Sequence, residues 1–502
     1  MAGRKFVGTD TPRSEYFEIV NKAEEPLGLL AKRSFEPFSP TFLDGADYYQ
    51  HYADLWADTD HRPRIANRTP LQIERDRVLY SAGMRKLTEK YHVLYTGERR
   101  ITRNFTTHTM RMAQVARAIS HGLHLNADFA EAIALGAKAG APPFVHASKS
   151  TVAKWIRDKV TDIDHEESKA TAGITQQKSL FKSTAKGSLP PWLLTIESPK
   201  VAESIRRFIP WAEGKDVDEP YSSGSQGYWT LAADPYLVQS KPKRFSPETM
   251  FGIWRHTLGI SQGPDSFLHR FQIDESTSGA HEIRWNHITY EGLVVQYADD
   301  ITWVIENLDD AHRGSVLAGG DDMYMATFED LREHGKVPSE LTNAMHERDS
   351  GSLYNYFITE FIRNSQGIIA GLKDGAHYRL ALRQGSPEAR IALPATPEAQ
   401  LERMKVFLTN RVFGEPRVHN RFQILQTISR ACLDLLLSSR QDALDSYVST
   451  HASLLKLRDR GERLDRVRSL LKEPVHRVQL AVDIFSQMSD QEIYDFVGIQ
   501  GL

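Results

Sequence analysis

Four side chains in this sequence have the type and setting to do chemistry: His108, Lys138, His146 and Asp299. His108 stands in "RNFTTHTMR", at the head of a helix expected over 109–123, where an imidazole can ligate a metal, move a proton or simply cap or fill the core. Lys138 stands in "EAIALGAKAGAPPFVHASKS", an otherwise apolar, small-residue turn; a buried lysine without a partner is rare, so this one calls for an anionic neighbour. His146 follows the break made by Pro142 and Pro143. Asp299 has Val295 four residues before it and Trp303 four after, so helical geometry sends its carboxylate to the apolar side. There it needs a cation, a metal or several donors. Asp300 reads as a structural or solvent-facing carboxylate.

The elements that must position these groups are helical. In "HTMRMAQVARAISHGLHL", Met112, Val115, Ala116, Ile119 and Leu123 follow the i, i+3, i+4, i+7 rule of one buried helix face. Asn126 is placed to cap the next helix, which ends near Lys138 before Gly140. "TYEGLVVQYADDITWVIENLDDA" predicts a long helix, about 28 Å from Tyr290 to Leu308 at 1.5 Å per residue. Further helices are predicted over 322–370 and through most of 397–500. Residues 161–192 and 210–247 read as polar, Gly- and Pro-rich connectors, the second with room for a short hairpin. The expected architecture is all-α, with three parts: an irregular N-terminal arm over 1–65, a helical core over 66–330, and a C-terminal helical region over 331–502 packed on it.

Composition narrows the class. The chain has 502 residues, 40% hydrophobic and 25% charged, with a net charge of −3. These are globular values, and no global charge draws it to nucleic acid or an anionic membrane. Its single cysteine, Cys432, lies in the apolar run "ISRACLDLLL" and reads as a core thiol in a reducing compartment. No stretch approaches the ~18 apolar residues of a membrane span, and the first residues lack an apolar signal core. A cytoplasmic protein with no membrane partner is expected.

Read in order, the motifs resemble a known family. "RDRVLYSAGMRKL", continuing through "RNFTTHTMR", is similar to the opening of the dGTP/dNTP triphosphohydrolases of the HD superfamily. "FSPETMFGIWRHT", residues 289–311 and "AVDIFSQMSDQEIYDF" resemble three later motifs of that family, so the likeness runs from about residue 70 to 500. It implies an HD-domain-like helical core.

The same resemblance exposes what is missing. Where the family carries L-G-H-D-L-G-H-P-P-F-G-H-A-G-E, this chain has "LGAKAGAPPFVHASK". The His-Asp pair is Ala137-Lys138, the second histidine is Ala141, and the acidic residue after the last histidine is Lys149. The resemblance implies that His108 and Asp299 are the two residual metal-ligand positions of four, and that His146 holds the position assigned to catalysis. No cofactor is expected at the HD centre, and Mg2+ is expected only as a companion of nucleotide phosphates. Lys138 could fill the vacated space, pair with Asp299 and offer its charge to a phosphate, or it could be a plain salt bridge. Arg77, Arg85 and Arg103 match basic positions near the nucleotide, Phe105 and His92 replace a family Arg and Gln, and Trp303 replaces a tyrosine beside the sugar.

Three functions follow as expectations. One is a deoxynucleoside triphosphate-binding protein that senses the dNTP pool without the HD-metal mechanism, in a regulatory or phage-defence setting. Another is a hydrolase with a rebuilt site that uses His146 and Lys138. The last, not favoured by the charge, is a single-stranded nucleic-acid binder. The family resemblance also implies a homo-oligomer, tetramer or hexamer, with room for a protein partner.

Overall fold

The computed structural model describes residues 70–91, 103–123, 125–171, 221–233, 290–314, 322–371, 391–438 and 472–499, with isolated residues between 245 and 253. The arm expected over 1–65 and His92 lie outside the described residues. Within them the fold is all-α, with one 3-10 turn at Leu87–Glu89 and a single isolated bridge between Tyr91 and Asn104.

Among the described residues, the helix that ends at Lys138 is the most heavily packed. Helices α1 (Pro70–Leu79), α2 (Ala82–Lys86) and α3 (Phe105–Gly122) precede α4 (Ala127–Lys138). Asn126 caps α4 as expected, its Oδ1 accepting the Phe129 N–H at 2.9 Å. Every residue from Ala132 to Lys138 is buried. A helix apolar on all sides belongs in a core, and α4 is packed by α1, α3, α6 (Ser223–Ala233) and α7 (Tyr290–Arg313). Its alanines and glycines allow that crowding. A Cβ built on Gly140, in the turn after α4, would lie 2.1 Å from the backbone nitrogen of Gly227 in α6. Two backbones therefore meet where side chains could not fit.

Two connectors differ from expectation. The first part of the connector expected over 161–192 is helical instead, since α5 runs from His146 to Thr171; residues 172–192 lie outside the described residues. Its buried Val152, Ala153, Trp155, Ile156 and Val160 keep helical spacing. The room for a hairpin within 210–247 is taken, over 223–233, by helix α6, whose Gly227 serves the close approach to Gly140.

Beyond α7 come α8 (Met323–His334), α9 (Ser339–Glu347), α10 (Ser350–Gly371), α11 (Ala395–Arg411), α12 (Pro416–Ser438), α13 (Pro474–Gln487) and α14 (Asp490–Ile499). They close two hydrophobic clusters. The larger joins α1, α3, α4 and α7 to helices α8 to α11. The smaller joins α5 to α12, α13 and α14, and it buries Trp155, Cys432 and Phe485 completely. Burial pushes the Cys432 thiol up to about 12, so it remains a protonated core residue. Among the described residues, no helix is long and apolar enough to cross a membrane.

The chain passes from the larger cluster to the smaller at residues 141–147, where Ala141 and Val145 belong to one and Phe144 and Ala147 to the other.

Candidate functional site

The site is assembled from α3, α4 and α7. Asn104 Oδ1 accepts the Thr107 N–H at 3.0 Å and starts α3 one turn before His108, so the helix begins earlier than the 109 read from sequence. The His108 ring is buried and stacks on Phe105, with centroids 5.2 Å apart. Lys138, in the last turn of α4, brings its ammonium Nζ to 2.6 Å from Oδ2 of Asp299 in α7. The other Asp299 oxygen, Oδ1, lies 3.5 Å from His108 Nε2. Three of the residues singled out from sequence therefore meet, and Asp299 is the hinge between the other two.

A fourth member was not singled out. Glu306, two turns after Asp299 and fully buried, faces His108 with Oε2 at 2.7 Å from Nδ1. Arg103 donates to the other Glu306 oxygen at 2.8 Å, to Asp310 at 2.9 Å, and also to Asp309. Arg111, half-exposed, approaches Glu306 at 3.4 Å. The seven-residue spacing of Asp299 and Glu306 on one helix face was the available signal. Asp300 binds Lys405 at 2.8 Å.

The charges explain each protonation state. Burial alone would lower His108, but hydrogen bonds to Asp299 and Glu306 and the Glu306 charge outweigh it, and its pKa is raised. Burial alone would raise Glu306, yet the hydrogen bond and charge of His108, with the charge of Arg103, hold its carboxyl below the usual value. Asp310 is pushed up to about 6 by burial and by the neighbouring Glu306 and Asp309, despite Arg103. His146 behaves oppositely. Part of its surface stays open, but the packing around its ring and the charges of Lys138, Lys149 and His108 press it down to about 3. Its imidazole is neutral at any ordinary pH.

The loop bearing His146 is held from several sides. Phe144 and Val145 have φ of 54° and 38°, left-handed values that cost bulky residues about 1–3 kcal/mol each and persist only when neighbours enforce them. Asp490 Oδ1 accepts the Phe144 N–H at 2.7 Å. Lys90, buried, donates to the carbonyls of Ala141 at 2.5 Å and Ser486 at 2.8 Å, and burial lowers its pKa to about 7. The Tyr221 hydroxyl donates to the Gly140 carbonyl at 3.0 Å.

The remaining candidates sit in other surroundings. Arg77 is buried in α1 with its guanidinium 4.5 Å from the Phe245 ring centroid. Arg85 is exposed at the end of α2. Arg103 is committed to the three carboxylates named above. Trp303 packs against Phe413, with centroids 5.9 Å apart. Among the described residues, no group of three or more His, Cys, Asp or Glu side chains is arranged to hold a metal.

No family model matches the chain. Curated relatives do. A deoxyguanosinetriphosphate triphosphohydrolase-like protein of Rhodopseudomonas palustris is 24% identical over 380 residues, covering 72% of this chain and 76% of the relative. One of the same description from Nitrobacter hamburgensis is 23% identical over 392 residues, 76% of this chain and 80% of the relative. One from Caulobacter vibrioides reaches 41%, over 120 residues that cover 24% of this chain and 30% of that protein. Two long alignments over about three quarters of the chain, together with the ordered motifs on an all-α frame, support assigning the chain to the dNTP triphosphohydrolase family.

Proposed function

We propose that this protein binds deoxynucleoside triphosphates at the α3–α4–α7 centre, with the Lys138 ammonium in the place where the family holds a metal. The observation that carries the reading is the 2.6 Å contact between Lys138 Nζ and Asp299 Oδ2.

The residues present do not fit a divalent ion held in the family's manner. Two of the four ligand positions are Ala137 and Lys138, and the Asp299 oxygens already face Lys138 and His108. A divalent ion ~4 Å from the ammonium would be repelled by about 8 kcal/mol at an effective dielectric of ~20. The fixed cation supplies one positive charge where a metal would supply two. Lys149, three residues after His146 on α5, and Arg111, one turn after His108 on α3, add basic groups within reach. Phosphate oxygens suit such donors.

A hydrolase with a rebuilt site is the second reading, favoured by the neutral His146 imidazole beside Lys138. A base with a pKa of about 3 is a weak proton acceptor at pH 7, since the best catalytic pKa lies near the working pH. The balance therefore falls on binding and sensing. Calorimetry with each of the four dNTPs, with and without Mg2+, tests binding; analysis of the same mixtures for nucleoside and triphosphate products tests turnover. No heat with any dNTP overturns the proposal, and release of triphosphate restores the hydrolase.

A further inference from the structure

A cavity of about 570 Å3 lies beside the His146 turn, between the end of the 3-10 turn, helix α12 and the start of α14. Its size falls within the ~300–1,000 Å3 of small-molecule sites. Its lining includes none of His108, Lys138 or Asp299. Phe144 and Tyr494 meet edge to face in its wall, with ring centroids 5.3 Å apart, and Tyr91 and Phe422 add two more rings. Aromatic walls of this kind accept a flat ring.

The charges around it select against phosphate. Glu89, Asp490 and Glu492 line the cavity against one guanidinium, that of Arg421. Glu492 also accepts from Ser489 N–H and pairs with Lys86 at 3.0 Å, and the same ammonium lies 3.9 Å from Glu89. Asp490 is buried, and its two oxygens accept the Phe144 and Tyr91 N–H groups. A triphosphate would bring several negative charges to a wall lined by three carboxylates. A nucleobase without phosphate suits the same wall: its ring N–H and amino groups donate to the Glu89 carboxylate, and its carbonyl accepts from the Arg421 guanidinium.

We propose that this cavity binds the base of an uncharged nucleoside, as a site separate from the triphosphate centre. One of its walls is Phe144, whose left-handed backbone is tied to Asp490, and two residues further on stands His146. A base resting on Phe144 therefore bears on the segment that sets where His146 begins α5. The occupant of one site is felt at the other through the chain itself, with no second subunit required.

The full-length protein should be titrated calorimetrically with the four deoxynucleosides and, separately, with their triphosphates. At least one deoxynucleoside is expected to bind saturably. Tyr494→Ala should weaken it about 5- to 150-fold, the range found when a base-stacking ring is truncated. Tyr494 is 40% exposed, so its truncation leaves the core intact. Gln491→Trp, at an exposed position on the rim, should block the cavity by filling it. Lys138→Ala should leave deoxynucleoside affinity in place, which separates this site from the proposed triphosphate site. Absence of deoxynucleoside binding overturns the inference. So does binding that survives both cavity variants, binding abolished by Lys138→Ala in a folded protein, or triphosphate binding that Tyr494→Ala removes.

Discussion

His108 Nδ1 lies 2.7 Å from Glu306 Oε2, a contact between residues 198 apart in sequence and wholly shielded from water. It fixes which ring nitrogen faces Asp299 and, with the Asp299 hydrogen bond, raises the pKa of the imidazole. Glu306→Gln removes the charge that holds both His108 and Arg103. Truncating one partner of a buried charged pair typically costs about 3–5 kcal/mol. Denaturant titration should show a loss of that order, and the His108 ring proton, followed by NMR, should titrate at lower pH than in the wild type. An unchanged His108 titration would falsify the assignment of Glu306 as its principal partner.

Lys138→Ala leaves the Asp299 carboxylate facing the site without its ammonium. Because Asp299 keeps 22% of its side chain exposed, water relieves part of the penalty, and the stability loss should fall at or below about 3 kcal/mol. Affinity for a dNTP should drop at least tenfold, which requires only about 1.4 kcal/mol. Combining it with Asp299→Asn should recover part of the loss, since both charges leave together. Equal dNTP affinity in wild type and Lys138→Ala returns the lysine to the role of a plain salt bridge.

The meeting of Gly140 with Gly227 predicts intolerance of a single methyl group. A Cβ at Gly140 would lie 2.1 Å from one backbone atom and 2.3 Å from another, neither of which can rotate away. Overpacking typically costs about 1–3 kcal/mol, and rigid backbone on both sides places Gly140→Ala at the upper end. The midpoint of urea unfolding should fall with the slope unchanged. A midpoint equal to wild type refutes the close approach.

The two histidines make opposite demands on pH. His146 has a folded pKa of about 3 against 6.5 unfolded, so its contribution is intact above 6.5 and is lost progressively as pH falls toward 3. His108 is raised, so its contribution is complete below 6.5 and is lost as pH climbs through its folded value. Stability measured from pH 3.5 to 8 should fall less steeply on the acid side in His146→Gln than in wild type. Identical acid slopes contradict the neutral state assigned to His146.

How much of this could be read beforehand depended on spacing. Apolar periodicity located α3, α4 and α7, and an inward-facing Asp299 and a misplaced Lys138 each called for the other, because a buried charge needs an opposite. Glu306 was harder to see, since "WVIENLDDA" offers three carboxylates and only the turn angle of α7 shows which one reaches His108. Arg103 illustrates a further difficulty: its type suits phosphate, but only tertiary contact shows that Glu306, Asp309 and Asp310 have taken its donors. Helix α6 was obscured by its own glycines, whose value lies in what they let approach.

The tie between Phe144 and Asp490 spans 346 residues of chain. A ribosome adding about 5–20 residues per second takes roughly 20–70 s to make that length. For that interval α3 and α4 exist while the clasp on the turn before His146 does not, and for most of it α5 has no α12 or α13 to lie against. The larger cluster can begin to assemble from its early helices, but the smaller one must wait for the final stretch of synthesis. The nascent chain thus carries the buried face of α5, including Trp155, uncovered for most of its translation, and this is the surface a chaperone would meet.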